Sequence, residues 1–153
     1  MKNDIYNSIF ENMLHVVLLL SASKIRLNED RIATYDFMCI YGEKCGIAKY
    51  NLNGNSSLNF SEFTQKRIRI KEAIKFAVIN DYIQVITQKD GFSYLLSNKG
   101  NMLAEKLNSS YASDYIYNAN KIFDKYNKYT DQEFAEEFLT LSRKLSNLSE
   151  EIL

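Results

Sequence analysis

The chain has 153 residues, of which 46% are hydrophobic and 25% are charged, the proportions of an ordinary globular protein. This composition excludes a largely disordered chain, and the length is enough for one domain with a substantial hydrophobic core. The 19 lysine and arginine residues are balanced by 19 aspartate and glutamate residues. The chain as a whole therefore has no net attraction for nucleic acid, and any such binding must come from a local patch.

The few residues that could bind a metal or react as nucleophiles are widely spread. Cys39 and Cys45 are the two cysteines, His15 is the one histidine, and their spacing matches no common zinc template. Two thiols without a secretory signal indicate a reducing, cytoplasmic setting. The longest apolar run, Met13 to Leu20, is too short to span a bilayer. We expect a protein with no membrane contact, with buried cysteines and with a hydrogen-bonded histidine in the core.

The first predicted helix runs from about residue 3 or 4 to residue 21 and is apolar over most of its circumference. One face carries Ile5, Ile9, Met13, Val16 and Leu20, and a second face carries Tyr6, Phe10, Val17 and Leu18. A helix with two apolar faces is buried on two sides. We expect another subunit to cover one side, over a patch that includes Ile9, Val16 or Leu20, so that the purified protein self-associates or needs its partner.

A second helix is predicted between a cap at Asn28 or Asp30 and an end near Gly42. The stretch from Gly46 to Ser57 is rich in asparagine, serine and glycine, which is typical of a loop. This loop has room for a short first strand ahead of the next helix.

A basic amphipathic helix is predicted from Ser61 to about Asn80, with Ser61 as its cap. Its inward stripe is Ile70, Ala73, Ile74 and Ala77, which leaves Lys66, Arg67, Lys71 and Lys75 to point outward. These four cations favour contact with the phosphates of double-stranded DNA. The alternative is an ordinary solvated helix face, because Glu62 and Glu72 dilute the positive charge.

Two short alternating runs follow, Ile83 to Gln88 and Phe92 to Ser97, and they predict an antiparallel hairpin that turns at Asp90-Gly91. A helix leading into a hairpin, with helices on both sides, is the order of elements in a winged helix-turn-helix domain. The predicted fold class is therefore mainly α with a small β-hairpin wing and additional N- and C-terminal helices. Lys89 in the wing is a fifth candidate phosphate contact.

Three more helices are predicted after the hairpin. The first begins at Ser97 to Gly100, the second covers Tyr111 to Tyr129, and the third opens with the capping box of residues 130–133. The third helix carries an apolar stripe at helical spacing, namely Phe134, Phe138, Leu141, Leu145 and Leu148. We expect a winged-helix domain at residues 1–108 and a helical extension at residues 109–153 packed on it in one compact unit.

No sequence motif of an enzyme is present. The chain has no glycine-rich nucleotide loop, HExxH motif, nucleophile elbow or calcium-binding DxDxDG motif. One histidine cannot supply both a catalytic triad and a metal cluster. We therefore expect an adaptor or binding role, with no catalytic residue, cofactor, metal or small-molecule substrate.

Two short motifs resemble those of a known family. They are Leu96-Ser97-Asn98-Lys99-Gly100 and Leu107-Asn108-Ser109-Ser110-Tyr111, followed by Ala119. The pattern is similar to that of the small middle component of bacterial three-component ABC-ATPase systems, the subunit found in Lamassu-type anti-phage defence. In that family a wing strand ends in a Ser/Thr-x-x-Gly turn, and a short helix then leads to a Leu-x-Ser-x-Tyr step. Lys121 and Ser110 depart from the aromatic residue and the proline of the family pattern.

The resemblance implies a non-catalytic subunit that bridges an SMC-like ABC ATPase and an effector, often a nuclease. The first, fifth and sixth helices would then be docking surfaces, through Ile9, Phe10, Val16, Leu20, Tyr115 and Phe138. The partners would be the ATPase, the effector and a second copy of the chain, with DNA as a further candidate. The alternative is a winged-helix transcriptional regulator that places the Ser61–Asn80 helix in a major groove.

Overall fold

The computed structural model describes the backbone of residues 2–52 and 61–152 and the side chains of residues 8–52 and 63–144. The elements are α1 (Lys2–Ala22), β1 (Leu27–Asn28), α2 (Glu29–Ile40), α3 (Ser61–Ile79), β2 (Ile83–Gln88), β3 (Gly91–Leu96), α4 (Asn98–Lys106), α5 (Ser110–Tyr126) and α6 (Asp131–Ile152). The prediction of a mainly helical chain with a small β component is confirmed. Leu145 and Leu148 of the predicted α6 stripe lie outside the described side chains.

The sheet has three antiparallel strands in the order β1-β3-β2. The hairpin pairs Gln88 with Gly91, so its two-residue turn is Lys89-Asp90, one residue earlier than predicted. Gly91, whose φ is +120°, supplies the left-handed backbone that allows the strands to meet. The expectation of a first strand after Gly46 is corrected within the described residues, because the short strand is β1, between α1 and α2.

The core explains why α1 is apolar on two sides. This helix packs against α2, α3, α4, α5 and β3, so the chain surrounds it by itself. Val16 is fully buried, and 6% of Leu20 is exposed. The prediction that another subunit covers these two residues is therefore corrected, since neighbouring helices of the same chain already cover them.

Side-chain caps set the starts of four helices. Asn28 accepts a hydrogen bond from the Arg31 backbone N–H at 2.8 Å and so begins α2. Ser97 and Ser109 begin α4 and α5 in the same way. The predicted capping box at the start of α6 is confirmed, because the Thr130 hydroxyl accepts from the Glu133 backbone N–H at 3.1 Å.

Gly100 allows α4 to approach the base of the hairpin. A Cβ at this position would lie 2.1 Å from the Tyr82 carbonyl oxygen and 2.9 Å from Leu96 Cδ2. Both atoms are held in place, since the same carbonyl accepts the Ser97 backbone N–H at 3.1 Å and Leu96 is in the core. No side chain larger than hydrogen fits without moving the helix.

We predict that Gly100→Ala lowers the free energy of unfolding by about 2 kcal/mol or more, because the added methyl group collides with main chain that cannot move alone. Urea unfolding followed by circular dichroism measures the change. Asn98→Ala, at an exposed position in the first turn of the same helix, is the control and is expected to change stability by less than about 0.5 kcal/mol. Equal stability of the two variants would contradict the packing argument.

Candidate interaction surfaces

Lys66 does not point away from the protein as predicted. Its ammonium group donates a hydrogen bond to Asn12 Oδ1 at 2.8 Å and lies 3.6 Å from Asp36 Oδ2. The Asp36 carboxylate is completely buried, whereas 21% of the Lys66 side chain is exposed. An unpaired buried charge is costly, so α3 turns Lys66 toward α2 to neutralise it. The prediction that Lys66 points outward is therefore wrong, and its predicted contact with phosphate stays a prediction.

The Asp36 carboxylate joins side chains from four helices. Besides Lys66 of α3, it accepts hydrogen bonds from His15 Nδ1 of α1 at 3.2 Å and from the Tyr115 hydroxyl of α5 at 2.7 Å. Burial alone would raise the pKa of Asp36, but the Lys66 ammonium and the two hydrogen bonds outweigh it and hold the pKa below its ordinary value. The prediction of a hydrogen-bonded core histidine is confirmed.

The other predicted phosphate contacts are exposed. Arg67 is exposed and forms an ion pair with Asp30 of α2. Lys71 and Lys75 are exposed on α3, and Lys89 is exposed in the hairpin turn. None of these three lysines forms an ion pair among the described residues, and neither does the exposed Arg69 of α3.

The predicted docking residues divide into buried and accessible groups. Tyr115 of α5 is fully buried, and with Val16 and Leu20 it belongs to the core. These three side chains are not accessible on the surface of the isolated chain, and their predicted role in docking stays a prediction. Ile9 is half-buried, and 48% of Phe10 is exposed near the start of α1.

Phe138 lies on a groove between α2, α3 and α6. The groove has a volume of about 850 Å³ and its apolar wall is formed by Phe63, Phe134, Phe138 and Leu139. Phe138 packs on Phe63 with ring centroids 5.0 Å apart, whereas 48% of Leu139 is exposed. The sequence pattern did not single out Leu139 because it lies beside the main apolar stripe of α6.

Arg31 of α2 connects this helix to the start of α6, a role that the sequence pattern did not indicate. Its guanidinium donates to Asp131 Oδ1 at 2.8 Å, to the Tyr35 hydroxyl at 2.6 Å and to the Tyr129 carbonyl at 2.6 Å. It also lies over the Phe134 ring, 4.4 Å from the centroid. A planar donor with several N–H groups is suited to such a junction.

The described residues contain no group of histidine, cysteine and acidic side chains that could hold a metal. Cys39 and Cys45 are both buried. Burial raises the pKa of the Cys39 thiol well above its ordinary value and raises that of Cys45 to about 12. Both thiols therefore stay protonated and are poor nucleophiles. Among the described helices, none has the length and apolarity needed to cross a membrane.

We predict that Asp36→Asn lowers the free energy of unfolding by about 3 kcal/mol at pH 7, because it leaves Lys66 without its counter-charge. Asp124→Asn, at an exposed position of α5, is the control, with an expected effect below about 0.5 kcal/mol. The folded-state pKa of Asp36 is depressed, so its stabilising effect is present above the unfolded pKa of about 3.9 and is lost as pH falls. The difference between wild type and Asp36→Asn should therefore shrink at pH 3. A difference that is independent of pH would contradict an ionised Asp36.

The comparisons with known proteins give one family. The family model described as ABC-three component (ABC-3C) system Middle Component 2 matches residues 5–150. No curated protein and no solved structure matches the chain. Since the match covers nearly the whole sequence, the chain belongs to the Middle Component 2 family of ABC-three component systems.

Proposed function

We propose that the chain is a non-catalytic accessory subunit that bridges an SMC-like ABC ATPase and an effector, often a nuclease, in a Lamassu-type anti-phage defence complex. The observation that carries the proposal is the family match over residues 5–150, since the family is a middle component of a three-component system. Membership of such a system implies protein partners. The bridging role, the kind of effector and the Lamassu type are parts of the proposal.

We also propose that residues 1–108 form a winged helix-turn-helix domain. In this domain, α3 is the second helix of the helix-turn-helix, and the β2–β3 hairpin is the wing. Support comes from the order α1-β1-α2-α3-β2-β3 and from the sheet order β1-β3-β2. In this arrangement, α4 closes the base of the wing through Gly100, and α5 and α6 form the helical extension at residues 109–153.

We assign the partner contacts to those predicted docking residues that are accessible on the surface. Ile9 and Phe10 lie near the start of α1, and Phe138 lies on the groove beside Leu139. Exposed aromatic and large aliphatic side chains of this kind are typical anchors of protein interfaces. We propose that these sites bind the ATPase and the effector.

We predict that the tagged chain copurifies with the ATPase and the effector encoded beside it. Phe10→Asp and Leu139→Asp should each reduce recovery of one partner by roughly tenfold or more, because they place a charge in a buried interface. Met102→Asp is the control, since 61% of Met102 is exposed on α4 and it does not line the groove. If neither partner copurifies with the wild type, the bridging role is excluded.

The second candidate is a DNA-binding regulator, favoured by the exposed Lys71, Lys75 and Lys89. Phosphate contacts alone carry no base information, so a regulator must also show sequence preference. An accessory subunit is expected to bind DNA weakly or not at all when isolated, and without sequence preference.

We predict weak, sequence-independent binding for the isolated chain in fluorescence anisotropy at two salt concentrations, with random and native-locus duplexes. Changing Lys71, Lys75 and Lys89 together to glutamine should weaken any binding, and it should reduce the slope of log K against log salt by up to about three units. Lys49→Gln is the control, because Lys49 is exposed and lies outside both α3 and the hairpin. Tight, sequence-selective binding by the wild type would favour the regulator.

A further inference from the structure

β2 is an unprotected edge of the sheet. The strand order β1-β3-β2 gives β2 one neighbour, β3, and leaves its other side unpaired within the described chain. β2 has six residues, Ile-Gln-Val-Ile-Thr-Gln, none of which is charged or proline. Four of the six are exposed, among them Val85 with 41% of its surface accessible.

The opposite edge is protected in the usual way. β1 has only two residues and therefore offers little backbone to a further strand. Edge strands are usually kept short, bulged or charged to prevent pairing with another chain. β2 has none of these features, and it is rich in β-branched residues that favour a strand.

The hairpin register decides which backbone groups are available. A two-residue turn is closed by a hydrogen-bonded pair, here Gln88 and Gly91, and such pairs alternate along an antiparallel ladder. Gln84, Ile86 and Gln88 therefore direct their N–H and C=O groups toward β3. Ile83, Val85 and Thr87 direct theirs to the free edge, where no described residue forms a backbone hydrogen bond with Val85 or Thr87.

We propose that this edge binds the β2 strand of a second copy of the chain, antiparallel, around a two-fold axis at Val85. Val85 then lies opposite Val85 of the second copy, and Ile83 lies opposite Thr87. In this register, the residues whose backbone N–H and C=O groups point to the free edge lie opposite each other and can form hydrogen bonds between the copies. The two three-stranded sheets then become one six-stranded sheet.

The features of the strand favour a second copy over an unrelated strand. The outward-facing positions are spaced symmetrically about Val85, so the edge is complementary to itself. No like charges meet across the axis, because the strand is uncharged. Val85 lies opposite Tyr94 and Thr87 opposite Phe92, on one face of the sheet, where 59% of Phe92 is exposed. Pairing the edges would extend this partly apolar face across both copies.

The test uses the full chain and opposite charges at the axis. Analytical ultracentrifugation over a range of concentrations should show a reversible dimer for the wild type. Val85→Lys and Val85→Glu should each weaken the dimer by roughly tenfold or more, since they place like charges directly opposite one another. An equimolar mixture of the two variants should restore dimers, because lysine then meets glutamate.

Met102→Lys is the control and should dimerise as the wild type does. Unchanged circular dichroism and unfolding midpoints of both Val85 variants would show that the fold is kept. A monomeric wild type, or a dimer that neither Val85 variant affects, would overturn the proposal. Loss of ATPase or effector copurification with an unchanged dimer would instead assign the edge to a partner's strand. The inference does not depend on the bridging role, which is tested by copurification.

Discussion

The arrangement of the helices depends on one buried charge. Asp36 lies within α2 with no exposure to solvent. Because water cannot reach its carboxylate, hydrogen bonds and a counter-charge must come from other residues of the protein. His15 of α1 and Tyr115 of α5 donate hydrogen bonds to Oδ1, and Lys66 of α3 supplies the counter-charge 3.6 Å from Oδ2, which has no hydrogen-bond partner among the described residues. Each donor fixes the rotation of its helix, because a helix turned by one residue would aim the donor away. The network thus specifies the packing of α1, α3 and α5 around α2 as well as stabilising it.

The two family-like motifs have separate structural roles around this core. Ser97 and Gly100 let α4 begin directly against the Tyr82 carbonyl, at the base of the hairpin. Ser109 begins α5, and Tyr111 two residues later stacks on His15, with ring centroids 5.7 Å apart. The first motif positions the hairpin, and the second brings α5 to the Asp36 network. Both motifs act through packing.

The parts of the fold that local sequence determines could be predicted. The hairpin, the caps of α2, α4 and α6 and the apolar stripe of α3 follow from turn residues, capping residues and periodicity. All agree with the structure except the hairpin turn, which lies one residue earlier than predicted. The direction of Lys66 could not be predicted, because it depends on Asp36, thirty residues earlier in the sequence. The burial of Val16 and Leu20 within one chain was missed for the same reason, since periodicity shows that a face is covered but not by what. Arg31 was missed because its partners come from the far end of the chain.

The electrostatics of α3 bear on the choice between subunit and regulator. Four cations on this helix were expected to face solvent, but Asp36 neutralises Lys66 and Asp30 neutralises Arg67. Arg69, Lys71, Lys75 and the hairpin residue Lys89 remain, and Glu72 is exposed between the two lysines of α3. Four phosphate contacts give a salt slope of about −4, whereas proteins with strong DNA binding commonly make about 6–10 such contacts. To reach that number, one copy of the chain would need further cations outside α3 and the hairpin turn, which agrees with the proposed role of an accessory subunit.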